Sequence, residues 1–201
     1  RIAGHHTNVV HLEKDGNVII DCTVDNDDCT VCANRKTLTV RGIAEFADCV
    51  DISDVEEVIS RQIEYNSAIA AEGLKNDYGA RIGKTILSAF GCGVHNLAKA
   101  TAAAGSDARM NGCSLPVVIV SGSGNQGMTT SLPVIVYAKE LKAPREKLIR
   151  ALVVSNLITI HLKTGIGRLS AYCGAVSAGC GAGAGICYLH GGGLNEISDT
   201  V

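Results

Sequence analysis

From Ser170 to Gly193 the chain is built almost without bulk: Gly and Ala dominate, and Leu is scarce. A helix through this stretch has little apolar area of its own to bury. Each glycine inside it costs about 1 kcal/mol relative to Ala. Such a helix persists only where neighbouring backbones come close enough to make small side chains an advantage. Ser170–Leu189 is long enough to suggest a membrane span, but a segment so poor in Leu transfers weakly into hydrocarbon. The reading that fits is a buried helix of a soluble protein running toward His190, with Cys173 at or just inside its start.

The rest of the chain can supply those neighbours. It has 201 residues, 46% of them apolar and only 3% aromatic, which allows one large domain or two small ones. The formal net charge of −2 argues against nucleic-acid binding, which requires a basic excess. The nine cysteines are odd in number and scattered through apolar stretches. That pattern predicts free or metal-bound thiols in a reducing, cytoplasmic compartment rather than a disulfide framework. Cys29 and Cys32 form a Cys-x-x-Cys pair, which suits zinc or a redox disulfide. A zinc site needs two more ligands, and only Cys22 and Cys49 lie nearby, without matching spacing. Two ordinary loop thiols are the simpler reading.

In chain order, Thr7–Glu13 and Asn17–Cys22 read as strands joined at Asp15-Gly16, a hairpin signal because Gly accepts positive φ. Arg1 leads directly into this strand-like sequence, so the chain is expected to begin inside a fold. Asp21–Arg35 reads as a loop and Thr37–Val40 as a further short strand. Helical spacing begins at Ile43. Ser53-Asp54-Val55-Glu56 has the form of a capping box. Val55, Ile59, Ile63 and Ala70 then recur at helical intervals, with Gly73 as the expected stop. Further helices are expected over Arg81–Phe90 and Val94–Ala104, and another opens at Pro144. That last helix should bury Leu148, Leu152, Val153, Leu157 and Ile160 and end at Gly165. The predicted class is α+β. Residues 1–42 form a β segment, the end of a larger sheet domain. Residues 43–201 form a mainly helical domain.

Val117–Val120 runs into Ser121-Gly122-Ser123-Gly124-Asn125-Gln126-Gly127, whose glycines match G-x-G-x-x-G. A dinucleotide site would need a second strand ending in an acidic residue about twenty positions on. Tyr137–Leu141 does not read as that strand end, and Pro144 opens a helix, so the context fails. Two readings remain open: a nest of amides and hydroxyls for a small carboxylate, and a tight turn that glycine permits. Arg109 and Arg168 sit among small or apolar residues, and a guanidinium can grip a carboxylate through two hydrogen bonds. The alternative for each is a structural ion pair. Lys163 reads as a solvated helix-end charge. His6 and His11 are an odd number of positions apart, so a regular strand points them to opposite faces. His95, His161 and His190 stand alone.

Four stretches together resemble L-cysteine desulfidase and the related iron–sulfur-dependent L-serine dehydratase α chain. They are Gly4-His5-His6-Thr7-Asn8-Val9-Val10-His11, Ser106-Asp107-Ala108-Arg109-Met110, Ser121–Gly127 and Gly167-Arg168-Leu169-Ser170-Ala171-Tyr172-Cys173. The resemblance implies β-elimination from a small amino acid, serine or cysteine, giving pyruvate and ammonia, with sulfide from cysteine. It implies a [4Fe–4S] cluster on three cysteines with one iron open as a Lewis acid. Cys173 matches the first ligand. Ser121, Gly122, Ser123, Gly124, Asn125, Arg109, Arg168 and His6 match the substrate-binding side. The remaining ligands belong to a Cys-Asp-Gly-Ala segment and a later cysteine, both expected beyond Val201. The base belongs to a Gly-Cys-Thr-Glu-Pro segment expected before Arg1, so no catalytic base is assigned within the chain. The chain is therefore expected to be the middle of a longer enzyme, inactive and without a cluster by itself. Cys180 and Cys187 follow Cys173 at intervals of seven. On one helix the three would spread over roughly 21 Å, too far to share a cluster, and so read as packing residues. No membrane or nucleic-acid partner is implied. Helices so rich in Gly and Ala are compatible with a homodimer.

Overall fold

The computed structural model describes residues 1–2, 8–22, 34–167, 170 and 172–201. The α+β expectation holds: one antiparallel hairpin precedes a helical bundle. Strands β1 (His11–Lys14) and β2 (Asn17–Asp21) pair with His11 opposite Asp21 and Lys14 opposite Asn17. Asp15 and Gly16 both take positive φ, 52° and 77°, as a two-residue hairpin turn requires. Arg1 lies alongside this hairpin. Its α-ammonium donates to the His11 carbonyl at 2.6 Å, and its own carbonyl accepts from Val10 N at 3.0 Å. The hairpin is mostly exposed, and no described helix packs against it.

Thr37–Val40 is not a strand. Arg35–Thr37 is a single 3-10 turn, and α1 (Val40–Cys49) begins three residues before Ile43. The β-branched Thr39 serves as N-cap, its Oγ1 accepting from Gly42 N at 3.0 Å. The cap of α2 (Ile52–Lys75) is likewise Asp51 rather than a Ser53/Glu56 box. Asp51 Oδ1 accepts from the Ser53 amide at 3.0 Å and its hydroxyl at 2.8 Å. Those hydrogen bonds hold the Asp51 carboxyl below its ordinary range. The helix runs through Gly73 to Lys75, because Gly73 lies flat against the Ala104 carbonyl rather than ending anything.

Helices α3 (Ile82–Phe90) and α4 (Val94–Met110) follow, α4 extending six residues past Ala104. Asp107 Oδ2 accepts from Ile82 N at 2.8 Å, so α4 caps α3. At the centre is α5 (Gly124–Glu140), with 11 of its 17 residues buried. It is surrounded by α2, α4, α6 (Arg145–Ile166) and α7 (Ala175–Leu189), with α8 (Leu194–Thr200) against α7 and α1. Pro144 is the N-cap of α6, and Gly167, at φ 87°, ends it two residues beyond Gly165. Burial on α6 is broader than one stripe. Leu152 and Val153 are joined inside by Ile149, Val154 and Ile158, while Leu148, Leu157 and Ile160 are half-buried.

α7 is the small-residue helix expected from the sequence, and its glycines permit close packing. A methyl group at Gly181 would overlap the Thr159 hydroxyl and lie 2.5 Å from the Ser155 carbonyl oxygen, both on α6. One at Gly185 would lie 2.8 Å from the Ala151 carbonyl oxygen. Among the described helices, α6 rather than α7 is long and apolar enough to cross a membrane, and 50% of its most apolar window is buried in the fold. Buried polar residues add register. Gln62 and Asn156 exchange side-chain hydrogen bonds at 2.9 and 2.8 Å, joining α2 to α6. Ser155 Oγ donates to the Thr130 carbonyl at 2.8 Å, joining α6 to α5.

These contacts predict opposite responses to the same substitution. Gly73→Ala puts a methyl into the Ala104 carbonyl and should destabilise the chain by about 1–3 kcal/mol, the usual cost of overpacking. Gly179→Ala, in the exposed middle of α7 with nothing within 4 Å, should stabilise it by roughly 0.5–1 kcal/mol. Urea unfolding reads both. Equal shifts would show that space at Gly73 is not limiting.

Candidate functional site

The glycine loop is held from beneath by one side chain. Asn66, fully buried on α2, accepts from Val118 N at 2.9 Å and donates to the Val118 carbonyl at 3.3 Å. Val117–Val120 is therefore extended but belongs to no sheet, and among the described residues there is no β-α-β unit for a dinucleotide. Ser121 and Gly122 then make a two-residue turn, with φ 49° and 85°. Val120 and Ser123 close it with mutual backbone hydrogen bonds of 3.2 and 3.1 Å.

The tight-turn reading thus accounts for Gly122 but not for the other two glycines. Gly124 opens α5, and a Cβ there would overlap Arg109 Nε and lie 2.9 Å from Val117 Cγ2. Gly127 presses on the Val118 carbonyl. Arg109, in the last turn of α4, lies across Gly124 and donates from Nη1 to Asn125 Oδ1 at 3.2 Å. No carboxylate pairs with it among the described residues. Ser123, the N-cap of α5, makes no side-chain capping bond. The first-turn amides thus have no side-chain cap and have Arg109 beside them, an arrangement that attracts an anion. The Ser121 hydroxyl is buried there without a hydrogen-bond partner among the described residues.

A residue not singled out by the sequence joins this loop to the thiol. Gln126, third in α5 and 8% exposed, packs its carboxamide onto Gly174, where any Cβ would overlap it. Gly174 follows Cys173 and is the N-cap of α7, again with no side-chain cap. Cys173 lies two residues before α7 rather than inside it, exposed, with its carbonyl accepting from Val176 N at 3.2 Å. The fold thus brings Arg109, the Ser121–Gly127 loop and the Cys173 turn to one end of the bundle. The contact that joins them is tertiary, and no spacing in the sequence announces it.

His6, Arg168, Cys29 and Cys32 lie outside the described residues. Arg1, which the expected base would precede, is exposed beside the hairpin. Its hydrogen bonds there are to the backbone of Val10 and His11, and none joins it to the glycine loop or to Cys173. His11 is in β1, with Glu13 and Asp21 each at 3.6 Å. His190 caps α7 and meets Tyr137 edge-on at 6.2 Å. Cys180 and Cys187 are half-buried along α7, as packing residues should be. No group of three His, Cys, Asp or Glu side chains able to hold a metal occurs among the described residues. An exposed free thiol at Cys173 is suited to be one ligand of a cluster. The described residues do not by themselves make a cluster site.

A cleft of about 520 Å³ lies elsewhere among the described residues, lined by Asp48, Arg150, Tyr188 and Gly191–Gly193. Its arginine is committed. Arg150 Nη1 donates to the carbonyls of Ala47, Asp48 and Val50 at 2.6, 3.0 and 3.3 Å, closing the end of α1. Tyr188 donates to Asp48 Oδ1 at 2.8 Å. Burial first, and then Asp48, push its ionisation up to about 12. This cleft reads as a joint between helices.

Comparison with known proteins agrees with the resemblance to the serine dehydratase α chain over a span that holds three of the four motifs. The sequence profile of the family described as serine dehydratase alpha chain matches residues 14–201. A protein of Desulfitobacterium hafniense is 60% identical over 201 residues, covering 100% of this chain and 47% of its own length. One from Lachnoclostridium phytofermentans is 55% identical over 197 residues, covering 98% and 47%. One from Fusobacterium nucleatum is 48% identical over 203 residues, with the same coverage. Each bears the name UPF0597 protein. The chain spans about half the length of these relatives. No solved structure matches it.

Two measurements check the geometry. Brief alkylation followed by peptide mapping should modify Cys173 well before Cys180 or Cys187, and equal labelling of the three would remove the distinction drawn between them. Tyr188→Phe should delete a tyrosine that ionises near pH 12 rather than 10. Because folding raises that pKa, its contribution to stability is complete below pH 10 and fades as pH climbs toward 12. Loss of an ultraviolet component centred near pH 10 instead would contradict the Tyr188–Asp48 bond.

Proposed function

We propose, from the premise that the chain belongs to the serine dehydratase alpha chain family, that the intact protein is an iron–sulfur-dependent lyase. It would act on L-serine or L-cysteine by β-elimination. The observation that carries this reading is the packing of Gln126 on Gly174, which sets an anion-attracting loop beside an exposed thiol. In this reading Arg109, the first-turn amides of α5 and the hydroxyls of Ser121 and Ser123 receive the substrate carboxylate. Asn125 holds the guanidinium in place. Cys173 furnishes one ligand of a [4Fe–4S] cluster, and Arg168 and His6 complete the substrate side.

A cluster iron left open would supply a Lewis acid for the departing group. This chain's own part is to fix the carboxylate. Pinning that group on α5 limits rotation of the amino acid, so that its Cα–H meets the base and its side chain meets the metal. The base takes the α-proton as the bond from Cβ to oxygen or sulfur breaks. The aminoacrylate that results becomes an imine and hydrolyses to pyruvate and ammonia. Both the base and the other cluster ligands would come from parts of the protein beyond these residues, the base from a segment before Arg1.

The test is the full-length protein prepared without oxygen. It should contain iron and sulfide and form pyruvate from L-serine or L-cysteine. Cys173→Ser should lose most of the iron and the activity together. A variant that keeps wild-type iron content and turnover would remove Cys173 from the ligand set, and an iron-free wild type that forms no pyruvate would sink the reading.

A further inference from the structure

We infer that Gln126 recognises the substrate's α-ammonium group, its Oε1 accepting a hydrogen bond from that nitrogen. The inference rests on the amino-acid lyase reading above and adds a specificity residue to it.

Gln126 is more than nine-tenths buried, and its Oε1 has no hydrogen-bond partner among the described residues. Buried amide oxygens are almost always paired, because an unpaired one has given up water for nothing. The other buried amides of this fold obey the rule. Gln62 pairs with Asn156, and Asn66 pairs with Val118 and Ser131. The exception lies in the first turn of α5, where the Arg109 contact and the Cys173 turn meet.

Charge explains why an acceptor is needed at this place. The start of α5 and Arg109 both attract a carboxylate and both repel an ammonium. An α-amino acid carries the two groups on one carbon, so its nitrogen must find an acceptor close to where the carboxylate is held. Asn125 Oδ1 already accepts from Arg109. Gln126 Oε1 is the remaining amide acceptor in that turn. The missing Cβ of Gly174 gives the carboxamide its seat and holds it against the backbone beside Cys173. An ammonium bound there would lie between the loop that takes the carboxylate and the thiol.

The experiment uses the full-length protein and compares ligands that differ in one group. L-serine carries both charges, and 3-hydroxypropionate lacks the ammonium. Gln126→Met keeps the shape and removes the acceptor. It should raise the KM for L-serine by about tenfold to a hundredfold, the loss expected for a hydrogen bond to a charged group, and leave inhibition by 3-hydroxypropionate within about twofold of wild type. Gln126→Glu gives a second reading if the Met variant misfolds. It should bind L-serine at least as well as wild type and 3-hydroxypropionate more weakly, because a carboxylate attracts the ammonium and repels the lone acid. Equal losses for both ligands, or none, would overturn the inference while leaving the lyase reading intact. A wild-type protein that neither binds nor converts an amino acid would overturn both.

Discussion

Asn66 takes the place of an absent β-strand. Its carboxamide accepts from the amide of Val118 and donates to the carbonyl of the same residue, the pattern a neighbouring strand would offer. The nitrogen's second proton goes to Ser131 Oγ at 3.0 Å, and Ser131 donates to the Gly127 carbonyl at 2.8 Å. One side chain thus fixes both the extended segment before the glycine loop and the first turns of the helix after it. An extended backbone in a helical bundle would otherwise bury unpaired polar groups. Without this clamp the turn at Ser121 and Gly122 would have no fixed base, and the start of α5 would have no fixed relation to Arg109.

The second constraint is the exchange of helix propensity for proximity. α7 is intrinsically weak, since glycine loses more freedom than alanine on entering a helix. What it gains is contact with α6 at Gly181 and Gly185, where backbone atoms approach closely enough to exclude any Cβ. The same device recurs at Gly73 and Gly83, each lying against α4. Close-packed backbones leave few rotamers to rearrange, so the bundle can hold Gln126 and Gly174 in one geometry without bulky aromatic residues.

Legibility in the sequence followed locality. The hairpin turn was readable because Asp15-Gly16 carries its own conformational reason, and α3, expected over Arg81–Phe90, runs from Ile82 to Phe90. Helix limits failed where a residue has two uses. Gly73 has the chemistry of a stop but is used to approach distant Ala104, and Thr39 has that of a strand residue but caps α1 locally. Gln62 and Asn66 fall on the apolar stripe of α2, and polar residues there are a signal of buried pairing that Ile59 and Ile63 obscured. At the site, the pairing of Arg109 with the glycine loop was foreseeable from a guanidinium among small residues. The contact of Gln126 with Gly174 was not, because it depends on how α5 and α7 cross.

The way the helices begin separates the site from the scaffold. Thr39, Asp51 and Asp107 cap α1, α2 and α3 through side-chain oxygens. Glu196 Oε2 receives the Gly193 amide at the start of α8. α4 and α6 start without such a cap, but at Gly93 and Pro144, both exposed, where water can serve. α7 starts without one at Gly174, which is buried, and α5 at half-buried Ser123, followed by buried Gly124. Two positive helix ends set side by side, with Arg109 added, repel one another and have given up much of their water. An Asp or Ser bond at either start would relieve that cost, and the chain has capping residues of this kind to spare elsewhere. Leaving both ends open concentrates positive potential at this corner, and that is the physical ground on which the proposed carboxylate site rests.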